Sequence, residues 1–162
     1  MTILHVKLIC VGKLGEKYLE LGVKEYEKRL KKYIKLDIEE VKDEPLPKRL
    51  SREEILKHQR TEEKKIWEKT DKNAHIIGLD LAGKQYSSEG LAKKIQEFEN
   101  SGISKLNFVI GGTLGFSAEF KESAHMLISL SKLTFPHQIV RLLLLEQLFR
   151  AYKINRNEPY HT

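Results

Sequence analysis

The stretch NFVIGGTLGF, Asn107 to Phe116, ends a strand-like run on Gly111-Gly112 and returns to glycine at Gly115. Glycine is selected where the backbone needs positive φ or where another group must approach it closely. After a strand of an α/β chain that group is often a ligand. The spacing excludes the commonest ligands. A phosphate-binding P-loop closes on Gly-Lys-Ser/Thr, whereas Gly115 is followed by Phe116-Ser117. A dinucleotide loop needs G-x-G-x-x-G after the first strand and an acid about twenty residues on; GGTLG has another spacing and lies late in the chain. One cysteine and six scattered histidines make no zinc cluster, and there is no G-x-S-x-G elbow. The glycines therefore mark either a ligand site of some other chemistry or a tight turn ahead of a helix.

The elements around that loop alternate. Ile3 to Val11, rich in β-branched residues, predicts a first strand ending at Gly12. Glu16 to Lys32 carries Tyr18, Leu19, Val23, Tyr26 and Leu30 at helical spacing. Ile34 to Val41 alternates as a half-exposed strand, and Pro45 and Pro47 make the following segment a loop. Ser51 caps a polar helix to about Thr70, with Glu54 placed for a capping box and Ile55, Leu56, Ile66 and Trp67 as its few apolar anchors. His75 to Leu81 predicts a strand closed by Ala82-Gly83; Ser87 or Ser88 caps a helix to about Asn100. Leu106 to Ile110 is the strand ahead of the glycines. Ser117 caps a short helix with Glu119 in its first turn, and Leu127 to Ser131 predicts a fifth strand. A long helix runs from about His137 to Ile154, and the tail NRNEPYHT has no periodicity. This order argues an α/β fold with a mainly parallel sheet flanked by helices.

The last helix is apolar almost all round: Val140, Leu142, Leu143, Leu144, Leu145, Leu148, Phe149 and Tyr152. A helix of that kind is buried on several sides. It is either a central core helix or, as we expect, one that packs against its copy in a two-fold dimer.

A chain of 162 residues suits one domain, and 40% hydrophobic with 32% charged residues describes a globular protein. The net charge of +6 fits a polyanionic partner without requiring one. Cys10, the one cysteine, predicts a buried thiol in a reducing compartment. No segment reads as a signal peptide or a membrane span, so the expected location is the cytoplasm.

Three segments taken together are more specific: IIGLDLAGK (Ile76 to Lys84), FVIGGTLGF (Phe108 to Phe116) and LSKLTFPHQIVRLLLLEQLFRAYKI (Leu130 to Ile154), followed by Pro159-Tyr160-His161. With them the whole chain resembles the RlmH family, small SPOUT-class methyltransferases of large-subunit ribosomal RNA. The resemblance implies a single SPOUT domain over residues 1–162, with a C-terminal trefoil knot and residues 155–162 as a functional tail. It implies a homodimer that uses S-adenosylmethionine to methylate N3 of a pseudouridine in 23S rRNA on the assembled ribosome. Carried over by motif, the cofactor residues are Leu79, Gly111 (where the missing side chain admits the cofactor) and the loop Leu130, Ser131, Lys132, Leu133, Thr134 and Phe135. Leu114 stands where the family more often has a polar residue, and the tail ends in Thr162 rather than a basic residue.

For that reaction a methyl group must be aligned with N3, and N3 must lose its proton. His137 and His161 are the candidate proton acceptors. Arg141 and Arg150 are candidates to hold phosphates or an anionic imide, and Tyr160 to stack on an unpaired base. Lys28, Arg29, Lys31 and Lys32 are candidates for rRNA phosphates. A non-catalytic ribosome-binding or assembly factor of the same fold is the alternative.

Overall fold

The computed structural model describes residues 3–160. Strands and helices alternate throughout: β1 (His5–Val11), α1 (Lys17–Leu30), β2 (Lys35–Val41), α2 (Arg52–Lys69), β3 (His75–Gln85), α3 (Ser88–Asn100), β4 (Lys105–Ile110), α4 (Ala118–Ser123), β5 (Met126–Ser129) and α5 (His137–Asn155). The five strands form one sheet in the order β2-β1-β4-β3-β5, and every pairing is parallel. No helix among the described residues is long and apolar enough to cross a membrane.

Serines start three of the helices. The hydroxyls of Ser51, Ser87 and Ser117 accept the N–H groups of Glu54, Gly90 and Phe120, so Ser87 and not Ser88 caps α3. The central strands β1 and β4 are buried on both faces, as parallel strands covered by helices must be. On one face α1, α3 and α5 close over Leu8, Phe108 and Ile77; on the other Ile9, Val109 and Phe120 pack with Ile66 of α2.

β3 departs from the expected strand. It does not close at Ala82-Gly83 but runs on to Gln85, because Ile128 of β5 is the register partner of both Leu79 and Lys84. The chain between those two residues bends round β5 so closely that a Cβ on Gly83 would lie 2.6 Å from the Ile128 backbone. β5 itself starts at Met126 and ends at Ser129, leaving Leu130 and Ser131 in the following loop.

α5 also corrects an expectation. Leu144, Leu145, Leu148 and Phe149 are buried within their own chain, against α1 and α3. Among its half-buried residues Ile139, Leu142, Leu143 and Glu146 make a stripe at i, i+3, i+4 and i+7. Beside it α1 presents Tyr18 and Leu21, more than half exposed, around Gly22, whose missing Cβ leaves room for Leu142.

Candidate functional site

Ligands of parallel α/β sheets lie off the carboxyl ends of the strands. Here β4 and β5 end on one cleft, and β3 bends past it. Its walls are Leu79, Asp80 and Leu81 at the bend within β3, then Gly111, Gly112, Thr113, Gly115 and Phe116 after β4, and Leu130, Ser131, Leu133, Thr134 and Phe135 after β5, with His137 and Val140 from the start of α5. The β5–α5 loop holds its own shape: Ser129 Oγ donates to the Ser131 carbonyl at 2.8 Å, and Ser131 Oγ accepts the Leu133 N–H at 3.0 Å. Leu81 and Leu133 are more than half exposed and Phe135 is 37% exposed, so the loops offer apolar surface rather than burying it.

The cofactor candidates converge on this cleft with one exception. Leu79, Gly111, Leu130, Ser131, Leu133, Thr134 and Phe135 all line it, whereas Lys132 is exposed in the same loop and is not part of the lining. Gly111 also has a packing role inside the fold. A Cβ there would lie 2.9 Å from the Phe116 ring, so glycine makes room for Phe116, which in turn floors the cleft. Gly115 is the turn glycine, with φ +69°, and its N–H donates to the Gly112 carbonyl at 3.1 Å.

The other candidates divide. His137 lines the cleft. Arg150 and Tyr160 do not: thirteen residues of helix place Arg150 about 20 Å from His137 along α5. There the Tyr160 hydroxyl donates to Glu146, and Arg150 bonds the same carboxylate at 3.0 Å. Burial first, and then the bond to Glu146, pushes the Tyr160 hydroxyl well above the ordinary phenol range. His161 lies outside the described residues. Arg141 is 3% exposed and its charge is committed: it bonds Glu40 at 2.7 Å and the Gly12 carbonyl at 3.3 Å, so it does not reach RNA phosphates. Burial pushes the Cys10 thiol up to about 12, partly offset by the Arg141 charge.

The basic residues late in α1 are exposed and gain company from α5. Arg29 sits 4.9 Å over the Tyr26 ring, Lys32 5.1 Å and Arg156 4.7 Å over the Tyr33 ring, and Lys28 and Lys31 flank them.

Asp80, Thr113, Phe116 and Val140 line the cleft without having been singled out from the sequence. Asp80 stood inside the GLDLAGK motif; its carboxylate accepts the Ala82 N–H at 2.9 Å and shapes the bend within β3. The lining contains this one carboxylate, one histidine, and no lysine or arginine. Among the described residues no group of His, Cys, Asp and Glu is arranged to hold a metal ion.

A family model described as "Predicted SPOUT methyltransferase" matches residues 4–161. The ribosomal RNA large subunit methyltransferase H of Natranaerobius thermophilus is 50% identical over 155 residues, covering 96% of this chain and 98% of that protein. The proteins of the same name from Clostridium novyi and Clostridioides difficile are each 48% identical over 158 residues, 98% of this chain and 99% of theirs. Among solved structures, the tRNA (m1G37) methyltransferase of Aquifex aeolicus superposes with a TM-score of 0.52 at 14% identity, covering 99% of this chain and 75% of that one. A probable methylase family protein of Haemophilus influenzae superposes at 0.53 with 12% identity, over 94% and 66%; at such identities these two speak for the fold alone. The sequence relationships and the cleft at the strand ends lead to one assignment: the chain belongs to the SPOUT methyltransferase family, in the branch of the ribosomal RNA large subunit methyltransferase H proteins.

Proposed function

We propose that this protein is an S-adenosylmethionine-dependent methyltransferase of large-subunit rRNA, acting on N3 of a pseudouridine in 23S rRNA on the ribosome, in the cytoplasm. The observation that carries the reading is the cleft's charge. A cleft that grips a phosphate-bearing cofactor through its side chains needs fixed cations. This lining has neither lysine nor arginine, one carboxylate, and an apolar frame of Leu79, Leu130, Leu133 and Phe135. That donor set fits a cofactor that brings its own positive charge and an adenine to bury.

S-adenosylmethionine would supply an electrophilic methyl group on its sulfonium. The chain supplies position and exclusion of water: the Leu130 to Phe135 loop and Leu79 hold the cofactor, and Gly111 and Phe116 form the floor. As N3 takes the methyl group its proton must leave, and His137 is the titratable nitrogen in this chain's own cleft.

The remaining groups arrive with a second copy. A two-fold axis crossing α5 near Leu143 sets two such helices antiparallel, with Arg150 level with the partner's His137. Each copy's Glu146–Arg150–Tyr160 cluster then lies beside its partner's His137 end. The half-exposed stripe Ile139, Leu142 and Leu143 with Tyr18 and Leu21 is the apolar face available for that contact. The active site is then composite, with cofactor loops from one chain and Arg150, Tyr160 and His161 from the other. The double pairing of Ile128 supports the expected trefoil knot, with β5 enclosed by the Leu79 to Lys84 bend. The cations Lys28, Arg29, Lys31, Lys32 and Arg156 form a surface for rRNA phosphates.

The test is nucleoside mass spectrometry of 23S rRNA from cells with and without the gene, joined to methylation of purified ribosomes by purified protein. We expect a methyl-pseudouridine that depends on the gene and is restored in vitro. An unchanged nucleoside profile overturns the proposal.

A further inference from the structure

α2 buries a polar face. His58, Glu62 and Glu63 are 7%, 3% and 6% exposed. Carboxylates are rarely buried unless bonded, so their partners reveal what the face serves. Glu63 accepts the Ser117 N–H at 2.8 Å and the Ser117 hydroxyl through its other oxygen. That hydroxyl oxygen is in turn the cap that accepts Phe120 N–H. Glu62 lies against Gly112, where a Cβ would stand 2.9 Å from Oε1, and its second oxygen accepts the Glu44 N–H at 3.1 Å. Gln59 Nε2 donates to the Leu114 carbonyl at 2.9 Å.

Positions 59, 62 and 63 are i, i+3 and i+4 of one helix and share a face. That face meets the turn after β4 at three points: Gly112, Leu114 and Ser117. The opposite side of the same turn, through Gly111, Gly112, Gly115 and Phe116, lines the cleft. The turn's own hydrogen bond, Gly115 N–H to the Gly112 carbonyl, fixes only its tip. Two glycines in sequence and a third nearby give the segment more conformational freedom than any other residue type would, and that freedom must be removed before a ligand meets a formed wall.

We propose that Gln59, Glu62 and Glu63 are positioning residues of the methyltransferase: they touch no reactant and act by holding the glycine turn in its cofactor-binding shape. This inference rests on the reading of the cleft as the S-adenosylmethionine site. A residue that serves only the fold lowers thermal stability and leaves the affinity of the folded fraction alone. A positioning residue changes the affinity itself.

The experiment is calorimetry of S-adenosylmethionine binding, with thermal unfolding and methylation of ribosomes measured on the same preparations of full-length protein. Glu63→Ala strands the Ser117 N–H and hydroxyl. We expect its cofactor Kd to rise by about tenfold or more while kcat at saturating cofactor stays within about threefold of the parent, as a loss of pre-organised binding requires. Glu63→Gln keeps an acceptor for Ser117 and should recover most of the affinity. Gln59→Ala, which removes one bond and leaves the buried carboxylates in place, keeps the test open if Glu63→Ala does not fold; its Kd should rise by about threefold. A folded Glu63→Ala, or a folded Gln59→Ala in its stead, with the parent's Kd overturns the inference. A parent protein that binds no S-adenosylmethionine overturns the cleft reading itself, and this inference with it.

Discussion

The guanidinium of Arg150 lies 4.1 Å from the centre of the Tyr160 ring, and both side chains converge on the carboxylate of Glu146. The tail is thereby folded back onto α5, and Tyr160 packs on Phe149 at a ring separation of 5.6 Å. An aromatic ring under a guanidinium is a flat, preformed surface. Tyr160→Ala should leave cofactor affinity within about twofold of the parent and lower ribosome methylation by on the order of 100-fold, as expected when substrate positioning is lost. Tyr160→Phe, which keeps the ring and loses only the bond to Glu146, should fall between. Mixed dimers of Tyr160→Ala with Gly111→Val chains should recover activity at one of their two sites. Verified mixed dimers without activity would show that each chain uses its own tail.

The proposed dimer face and the core of α5 can be separated. Leu145 is fully buried in its own chain, so Leu145→Lys should unfold the protein, because it buries an unpaired charge. Leu21 is 61% exposed. Leu21→Glu should therefore keep the parent's circular dichroism and melting temperature measured as monomer, yet shift light scattering from dimer to monomer. A dimeric Leu21→Glu would place the interface elsewhere.

Gly111 and Phe116 form a size-matched pair. Gly111→Ala should cost about 1–3 kcal/mol by overpacking, because its Cβ meets the Phe116 ring at 2.9 Å. Phe116→Leu, added to it, should return part of that loss. The coupling is read by a double-mutant cycle of urea denaturation midpoints; strictly additive effects would mean that Gly111 serves something other than Phe116.

Alkaline stability should carry the mark of Cys10. Its thiol is raised from 9.0 to about 12 in the folded chain, chiefly by burial. Between those values the unfolded chain releases a proton that the folded chain keeps. Stability is therefore complete below pH 9 and is lost as pH rises toward 12, by about a factor of ten in the unfolding constant per pH unit. Cys10→Ala should flatten the slope by one proton in chemical denaturation measured from pH 8 upward. An unchanged slope would mean that the thiol ionises freely in the fold.

The cation surface at the ends of α1 and α5 should act on RNA alone. Lys28→Glu with Lys32→Glu should weaken ribosome binding and reduce its salt dependence by about one unit of slope for each phosphate that is no longer neutralised. Cofactor affinity should not move. Equal salt slopes for parent and variant would exclude these residues from the RNA interface.

Much of this architecture was legible in the chain because each local signal was redundant. The β-branched runs of β1 and β4, the serine caps and the helical periodicity of α1 all agree with the final topology. The cleft residues were legible through motif resemblance, not through physics: nothing in the spacing of Leu130 to Phe135 says that this loop faces Gly111. Three features were hidden for definable reasons. The buried polar face of α2 gave no signal because its buried side chains are charged or polar, and a burial satisfied by hydrogen bonds leaves no apolar period. The extension of β3 past Ala82-Gly83 was hidden because a small-residue pair reads as a turn, while here Gly83 is needed for close passage of another strand. The commitment of Arg141 to Glu40 spans a sequence separation of 101 residues, a distance over which no local pattern carries information.

That passage of β5 beside Gly83 also sets a limit on how this chain can vary in length. Leu79 and Lys84 share a single register partner, Ile128. The path between them therefore has to leave the strand, clear β5 and rejoin within a fixed number of peptide units. Leu81 is well exposed there, and an exposed bend is normally where insertions and deletions collect. Here one residue more or fewer would slide Lys84 and Gln85 along β5 and turn their side chains to the opposite face. Substitution at the surface of this bend is permitted by the geometry, but indels are not, so its length should be more constant among relatives than its composition.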